Sequence, residues 1–178
     1  MLKKVIWLFG LSGAGKSTIA QHISQLLSQK NITYVLLDGD EIRNTVNSDL
    51  GFSTDDRREN IRRSSEMAKL LSQQGIKCIC SFITPTKELR DIVRKRLGNN
   101  VILFFIDTPI EECIKRDVKG LYKKAINQEV KNFTGISAAF EQPENENDVV
   151  RITTTGKTPD ECAKEILDYI LNKTCSNL

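Results

Sequence analysis

The sequence predicts a three-layer α/β/α sandwich on a mainly parallel sheet of about five strands. Three observations predict it. Short apolar runs of strand length recur along the chain and alternate with stretches of helical periodicity. A glycine-rich stretch, Gly10-Leu11-Ser12-Gly13-Ala14-Gly15-Lys16-Ser17, joins the first run to the first helical pattern. The chain has 178 residues, 39% hydrophobic and 28% charged, enough to bury the core of one domain, so residues 1–178 are expected to form a single unit.

The first strand is Val5-Ile6-Trp7-Leu8-Phe9, with Trp7 read as core. The glycine-rich stretch follows and fits G-x-x-x-x-G-K-[ST] at every required position. A helix comes next, since Ile19, Ile23, Leu26 and Leu27 recur at its spacing. The second strand, residues 34–37, ends in Asp38-Gly39-Asp40. A long helix is expected over 54–74, and a third strand over 76–83. Helix 87–97, strand 101–106, helix 110–116 and strand 149–152 follow. Residues 158–171 form the last helix, opened by Thr158-Pro159-Asp160-Glu161, a capping box with proline at the first helical position. Parallel strands of this kind gather ligands at their carboxyl ends. Residues 117–147 break the rhythm. They lack a long apolar run and carry Lys119, Lys123, Lys124 and Lys131; so long an insert reads as a functional lid, a loose surface loop being the other reading.

The residue types at the glycine stretch point to a nucleoside triphosphate. Gly10, Gly13 and Gly15 let the backbone take turns closed to other residues and approach a phosphate closely. Successive N–H groups then form an anion nest at the positive end of the following helix. Lys16 adds a cation for the β- and γ-phosphates, and the Ser17 hydroxyl suits Mg²⁺. Asp38 and Asp40 project from the end of the second strand toward this loop. There a carboxylate can hold Mg²⁺ or take a proton from an attacking hydroxyl; a simple Asp-Gly-Asp turn is the plainer account. Arg43 lies one helical turn beyond Asp40. Arg57 and Asn60, three apart, share a helix face that could grip an anion and a neighbouring hydroxyl or base. A solvated, salt-bridged face explains the same pair, and the residues alone do not decide.

Other classes are excluded or weakened. A net charge of +3 is too small to argue for nucleic acid. No apolar run reaches the ~20 residues of a membrane span, and residues 1–8 do not read as a signal peptide. The five cysteines show no C-x-x-C pair and no histidine at ligand spacing. Reduced thiols in a cytoplasmic protein are expected. His22 reads as a surface or packing residue.

Several blocks resemble the adenylylsulfate kinase family. They are Asp38-Gly39-Asp40 with Arg43, Leu50-Gly51-Phe52-Ser53, Asp56-Arg57 with Glu59-Asn60-Ile61-Arg62-Arg63, Lys119-Gly120-Leu121-Tyr122-Lys123-Lys124-Ala125, Phe133-Thr134-Gly135-Ile136 and Pro143-Glu144-Asn145. The resemblance runs from about Val5 to Asp168 and implies a P-loop NTPase fold. It implies an ATP-dependent kinase that phosphorylates the ribose 3′-hydroxyl of adenosine 5′-phosphosulfate, with Mg²⁺. By the same resemblance Gly10, Ser12, Gly13, Ala14, Gly15, Lys16, Ser17, Thr18 and Arg116 hold ATP, and Ser17 and Asp38 hold the metal. Asp40 acts on the hydroxyl, with Lys16 and Asp38 beside it. Arg43, Phe52, Arg57, Asn60, Thr84, Lys119 and Phe133 bind the acceptor, the two phenylalanines sandwiching its base. Family members are often dimeric, so the resemblance allows a homodimer, while the sequence itself does not fix the oligomeric state; no nucleic-acid or membrane partner is expected. Where the family reads Ile-Ser-Pro-Tyr-Arg, this chain has Ile83-Thr84-Pro85-Thr86-Lys87, and the lid's Asp-Pro-Lys becomes Asp117-Val118-Lys119. The first change motivates an alternative acceptor, another modified nucleotide such as cytidine diphosphoramidate in capsule biosynthesis.

Overall fold

The computed structural model describes residues 4–175. In chain order its elements are β1 (Val5–Phe9), α1 (Lys16–Ser28), β2 (Tyr34–Asp38), α2 (Gly39–Asn44), α3 (Thr54–Gln73), β3 (Lys77–Phe82), α4 (Lys87–Leu97), β4 (Val101–Asp107), α5 (Ile110–Arg116), α6 (Leu121–Ile126), β5 (Val149–Thr153) and α7 (Pro159–Cys175). The five strands form one all-parallel sheet in the order β2-β3-β1-β4-β5. The expected α/β/α sandwich is what the chain forms.

β1 is central because its five residues are apolar and buried on both faces, as a parallel sheet covered on each side requires. Alternate side chains point to opposite layers. Ile6 and Leu8, with Ile79, Phe104 and Ile106, face α1 and α7, where they meet Ile19, Ile23, Ala163 and Ile166. Val5, Trp7 and Phe9, with Cys78, Cys80 and Phe105, face α3 and α4, where they meet Ile61, Ala68, Leu89 and Val93. Each such buried aliphatic or aromatic side chain contributes about 1.5–3 kcal/mol relative to exposure. On β2, at the sheet edge, Val35 and Leu36 stay partly exposed. The parallel register aligns Phe9, Phe82 and Phe105. The loops after β1, β2, β3 and β4 therefore share one edge of the sheet, where the site is built.

Boundaries follow local hydrogen bonding. β3 is one residue shorter at each end than expected: the Ile76 N–H turns back to Leu71 O at 3.0 Å, and Ile83 O accepts from Gly10 N at 3.2 Å. The last helix continues past residue 171 to Cys175. Its capping box forms as expected, with Thr158 N 2.7 Å from Glu161 Oε2 and Glu161 N 3.3 Å from Thr158 Oγ1. At α3, Ser53 is the N-cap and shares a capping box with Asp56. Of two further short helices, α2 was implied only by placing Arg43 one helical turn beyond Asp40, and α6 was not expected. Each is started by one aspartate: Asp38 accepts from Asp40 N at 3.0 Å, and Asp117 accepts from Tyr122 N and Lys123 N at 2.9 and 3.0 Å.

The 117–147 insert is packed onto the domain. Its Tyr122, Ala125 and Phe133 belong to the α1–α7 core layer, and Thr134 pairs with Ala138 in an isolated bridge. Four cysteines, Cys78, Cys80, Cys113 and Cys162, are buried and free. His22 lies on the α1 surface 3.8 Å from Asp160 of α7, away from the site.

Candidate active site

The loop between β1 and α1 wraps closely around its neighbours. A Cβ at Gly10 would stand 2.6 Å from Ile106 O, so β4 leaves room only for glycine there. α1 begins from Gly15 with no side-chain cap, which leaves its first-turn amides free for an anion. Lys16 Nζ folds over the loop and donates to Gly10 O at 3.1 Å and Leu11 O at 2.7 Å. Burial pushes its pKa from 10.5 down to about 8, against the pull of Asp40 and Asp38. Three groups brace the loop from outside. Tyr122 Oη donates to Ser12 O at 2.9 Å, Thr108 Oγ1 donates to Ala14 O at 2.9 Å, and Arg116 Nη1 reaches Gly13 O at 3.4 Å.

At the end of β2, Asp38 Oδ2 accepts from Ser17 Oγ at 2.5 Å, and Ser81 Oγ lies 3.3 Å from the same hydroxyl. These are hard oxygen donors, the set a Mg²⁺ ion shares with phosphate oxygens. Gly39 allows the approach, because a Cβ there would be 2.9 Å from the Phe82 ring and 3.1 Å from Ser81 O. Asp40, in the first turn of α2, is ion-paired with Lys119 of the lid. The pair spans the cleft between the two expected halves of the site.

Beyond Asp40, two arginines gather around Phe52, which is 57% exposed. Arg43 lies 4.7 Å from the ring centroid and Arg57 5.9 Å. Arg43 Nη1 donates to Gly51 O at 2.7 Å. Arg57 donates to Phe52 O at 3.1 Å, to Thr134 Oγ1 at 2.9 Å and to Asn132 O, joining α3 to the lid. Neither arginine has an acidic partner in ion-pair contact among the described residues. Burial, then repulsion from Arg57, lowers the Arg43 pKa, and burial lowers that of Arg57. Two guanidiniums without an ion-pair partner among the described residues, beside an exposed ring, suit an anion attached to a flat group. A separate cleft of about 520 Å³ opens between Leu11 and Ile110 on one side and Ile136, Ala138 and Phe140 on the other.

Comparison with known proteins decides the family. The family profile described as adenylylsulphate kinase matches residues 3–151. The chain belongs to the adenylylsulfate kinase family. It is 47% identical over 173 residues to an adenylyl-sulfate kinase of Clostridium acetobutylicum, covering 96% of this chain and 86% of that protein. A relative of the same name from Clostridium kluyveri is 47% identical over 167 residues, covering 93% and 82%. Among solved structures, the Mycobacterium tuberculosis APS kinase CysC in complex with AMPPNP and APS superposes with a TM-score of 0.89 at 40% identity, over 96% of this chain and 98% of that one. With the family comes ATP-dependent phosphoryl transfer to a hydroxyl group.

Three of the residues expected to bind the acceptor sit differently from expectation. Thr84 is 1% exposed and its Oγ1 accepts from Trp7 Nε1 at 3.0 Å, so its hydroxyl faces the core rather than a substrate. Its φ of 42° is strained for a β-branched residue, a cost of about 1–3 kcal/mol. Phe133 is also buried, edge-on to Tyr122 at 4.9 Å, and makes no ring contact with Phe52. Asn60 is 4% exposed and its Oδ1 accepts from Asn47 Nδ2 at 2.9 Å, rather than lying on an open helix face beside Arg57. The sequence reading gave no role to Ser81, Thr108, Tyr122, Asn47, Arg90 or Glu146. Ser81 and Thr108 were within reach, since both stand at carboxyl ends of expected strands.

Proposed function

We propose that this chain transfers the γ-phosphoryl group of ATP to the ribose 3′-hydroxyl of adenylyl sulfate. One observation carries the reading: Asp40 stands between a phosphate loop and two arginines that have no anion of their own. ATP phosphates would replace the Gly10 and Leu11 carbonyls as partners of Lys16 and take the first-turn amides of α1, including those of Ser17 and Thr18. Arg116, whose Nη1 lies 3.4 Å from Gly13 O at the rim of the loop, would cover the nucleotide. Ser17 and Asp38 would hold Mg²⁺, which neutralises phosphate charge when bound.

On the acceptor side, Arg43 and Arg57 receive the phosphosulfate and Phe52 covers the base, with Phe133 as the buried wall and Asn60 as a polar contact. Asp40 accepts the hydrogen of the 3′-hydroxyl as that oxygen attacks the γ-phosphorus. The new O–P bond forms in line with the breaking bond to ADP, and the proton passes through Asp40 to solvent. Lys119 holds the Asp40 carboxylate in place and then meets the developing charge on the transferred group.

The alternative acceptor loses its motive. Thr84 is bonded to Trp7, Thr86 caps α4 at Leu89 N, and Lys87 pairs with Asp91 at 2.7 Å, so the altered stretch serves its own chain. Adenylyl sulfate and cytidine diphosphoramidate should be compared as acceptors in a coupled ADP-release assay. A kcat/KM preference for adenylyl sulfate of about 10²-fold or more is expected. Equal or reversed preference would sink the reading.

A further inference from the structure

We infer that Asn47 is a positioning residue that turns the Asn60 amide so that only its N–H₂ group faces the acceptor. The inference rests on the assignment of Asn60 to acceptor binding and says which kind of contact it makes there. Asn47 sits between α2 and α3, fully buried, with its backbone pinned on both sides. Its N–H donates to Ile42 O at 2.8 Å and its C=O accepts from Leu50 N at 3.1 Å. From this fixed base its Nδ2 donates to Asn60 Oδ1 at 2.9 Å. The carbonyl of Asn60 is thereby consumed. Among the described residues its Nδ2 has no protein partner and is not enclosed, whereas Asn47 Oδ1 is both enclosed and unpaired.

Burying an amide with its oxygen unpaired is unfavourable, and an apolar side chain would fill the same space without that cost. What Asn47 provides is direction. An amide offers a donor at one corner and an acceptor at the other, and a free Asn60 could present either. Held by Asn47, it presents donors. The group it recognises must therefore be a hydrogen-bond acceptor, such as a phosphosulfate or ribose oxygen or a ring nitrogen, and a ligand offering only an N–H or O–H there is refused.

Asn47→Asp tests this, because a carboxylate of the same shape only accepts. It draws the Asn60 N–H₂ toward itself and leaves the Asn60 carbonyl on the cleft. The acceptor KM should rise about tenfold or more, while the ATP KM and kcat change by less than about twofold. Lowering the pH should restore the acceptor KM in this variant alone, since the protonated carboxyl donates again to Asn60 Oδ1. Asn47→Leu, which removes the partner without reversing it, should fall between the variant and the wild type. Asn60→Ala separates the two claims. If it raises the acceptor KM while Asn47→Asp does not, the orienting role is overturned and the acceptor site stands. If neither variant changes the acceptor KM, Asn60 is not in the acceptor site and both fall. Parallel loss of ATP binding and melting temperature in Asn47→Asp, with no recovery at low pH, would reduce Asn47 to a packing residue and overturn the inference.

Discussion

Lys119 of the 117–147 insert and Asp40 at the end of β2, 79 residues apart in the chain, meet in an ion pair. Both side chains are more than half exposed, so the pair adds little to stability and its value lies in placement. Asp40→Ala should lower kcat by more than ~10²-fold with ATP binding retained, and Lys119→Ala by about tenfold to a hundredfold. Steady-state kinetics alongside ATP titration checks both; an Asp40→Ala enzyme with undiminished turnover would remove Asp40 from the mechanism.

Lys16 makes a second residue-scale prediction through its pKa of about 8. Free enzyme loses the Lys16 proton as pH rises through that value, whereas bound phosphates favour the charged form. ATP affinity should therefore weaken from about pH 7 to about pH 9.5, and Lys16→Met should flatten the profile in calorimetric titration. The stability contribution runs the other way. A lysine with a folded pKa below 10.5 costs stability under pH 8, and the cost is relieved as pH climbs toward 10.5.

Among the elements, the end of the lid is tied to α4 by charge taken out of water. Arg90 is fully buried and Glu146 nearly so, joined at 2.5 Å, with Arg90 5.1 Å from the centroid of the Phe9 ring and donating to Thr84 O at 3.3 Å. Arg94 adds bonds to Glu146 and Asp148. Arg90 and Arg94 hold the Glu146 carboxyl below the usual range despite its burial. Removing one partner of such a pair leaves the other charge stranded, so Glu146→Ala should cost about 3–5 kcal/mol in chemical denaturation. A loss under about 1 kcal/mol would mean that the pair is effectively solvated. The five strands and most of the helices were legible because their apolar periodicity is a local property of the chain. α2 was only implied and α6 was not legible, since each is started by hydrogen bonds to one aspartate side chain, Asp38 or Asp117, rather than by periodicity. The strained turn at Thr84 was not either, because its hydroxyl is held by Trp7, 77 residues away in the chain.

At the scale of the whole molecule, the central β1 sets the phosphate loop between the ends of β3 and β4, and the sheet order brings the β2 acids alongside it. The 117–147 insert is bonded to the phosphate loop at Ser12, to Asp40 and to Arg57. The donor half was readable from one contiguous motif. The residues expected to bind the acceptor were read by resemblance, and their burial and partners depend on contacts such as Asn47–Asn60 and Arg57–Thr134 that no local spacing encodes. Among the described residues no helix is long and apolar enough to cross a membrane. Tracing a labelled phosphoryl group shows which oxygen receives it. The chain should be incubated with γ-labelled ATP and adenylyl sulfate, and the product treated with a 3′-nucleotidase. The account predicts one label per acceptor, all released as inorganic phosphate with adenylyl sulfate regenerated. Label that resists the 3′-nucleotidase, or no transfer to adenylyl sulfate, would contradict it.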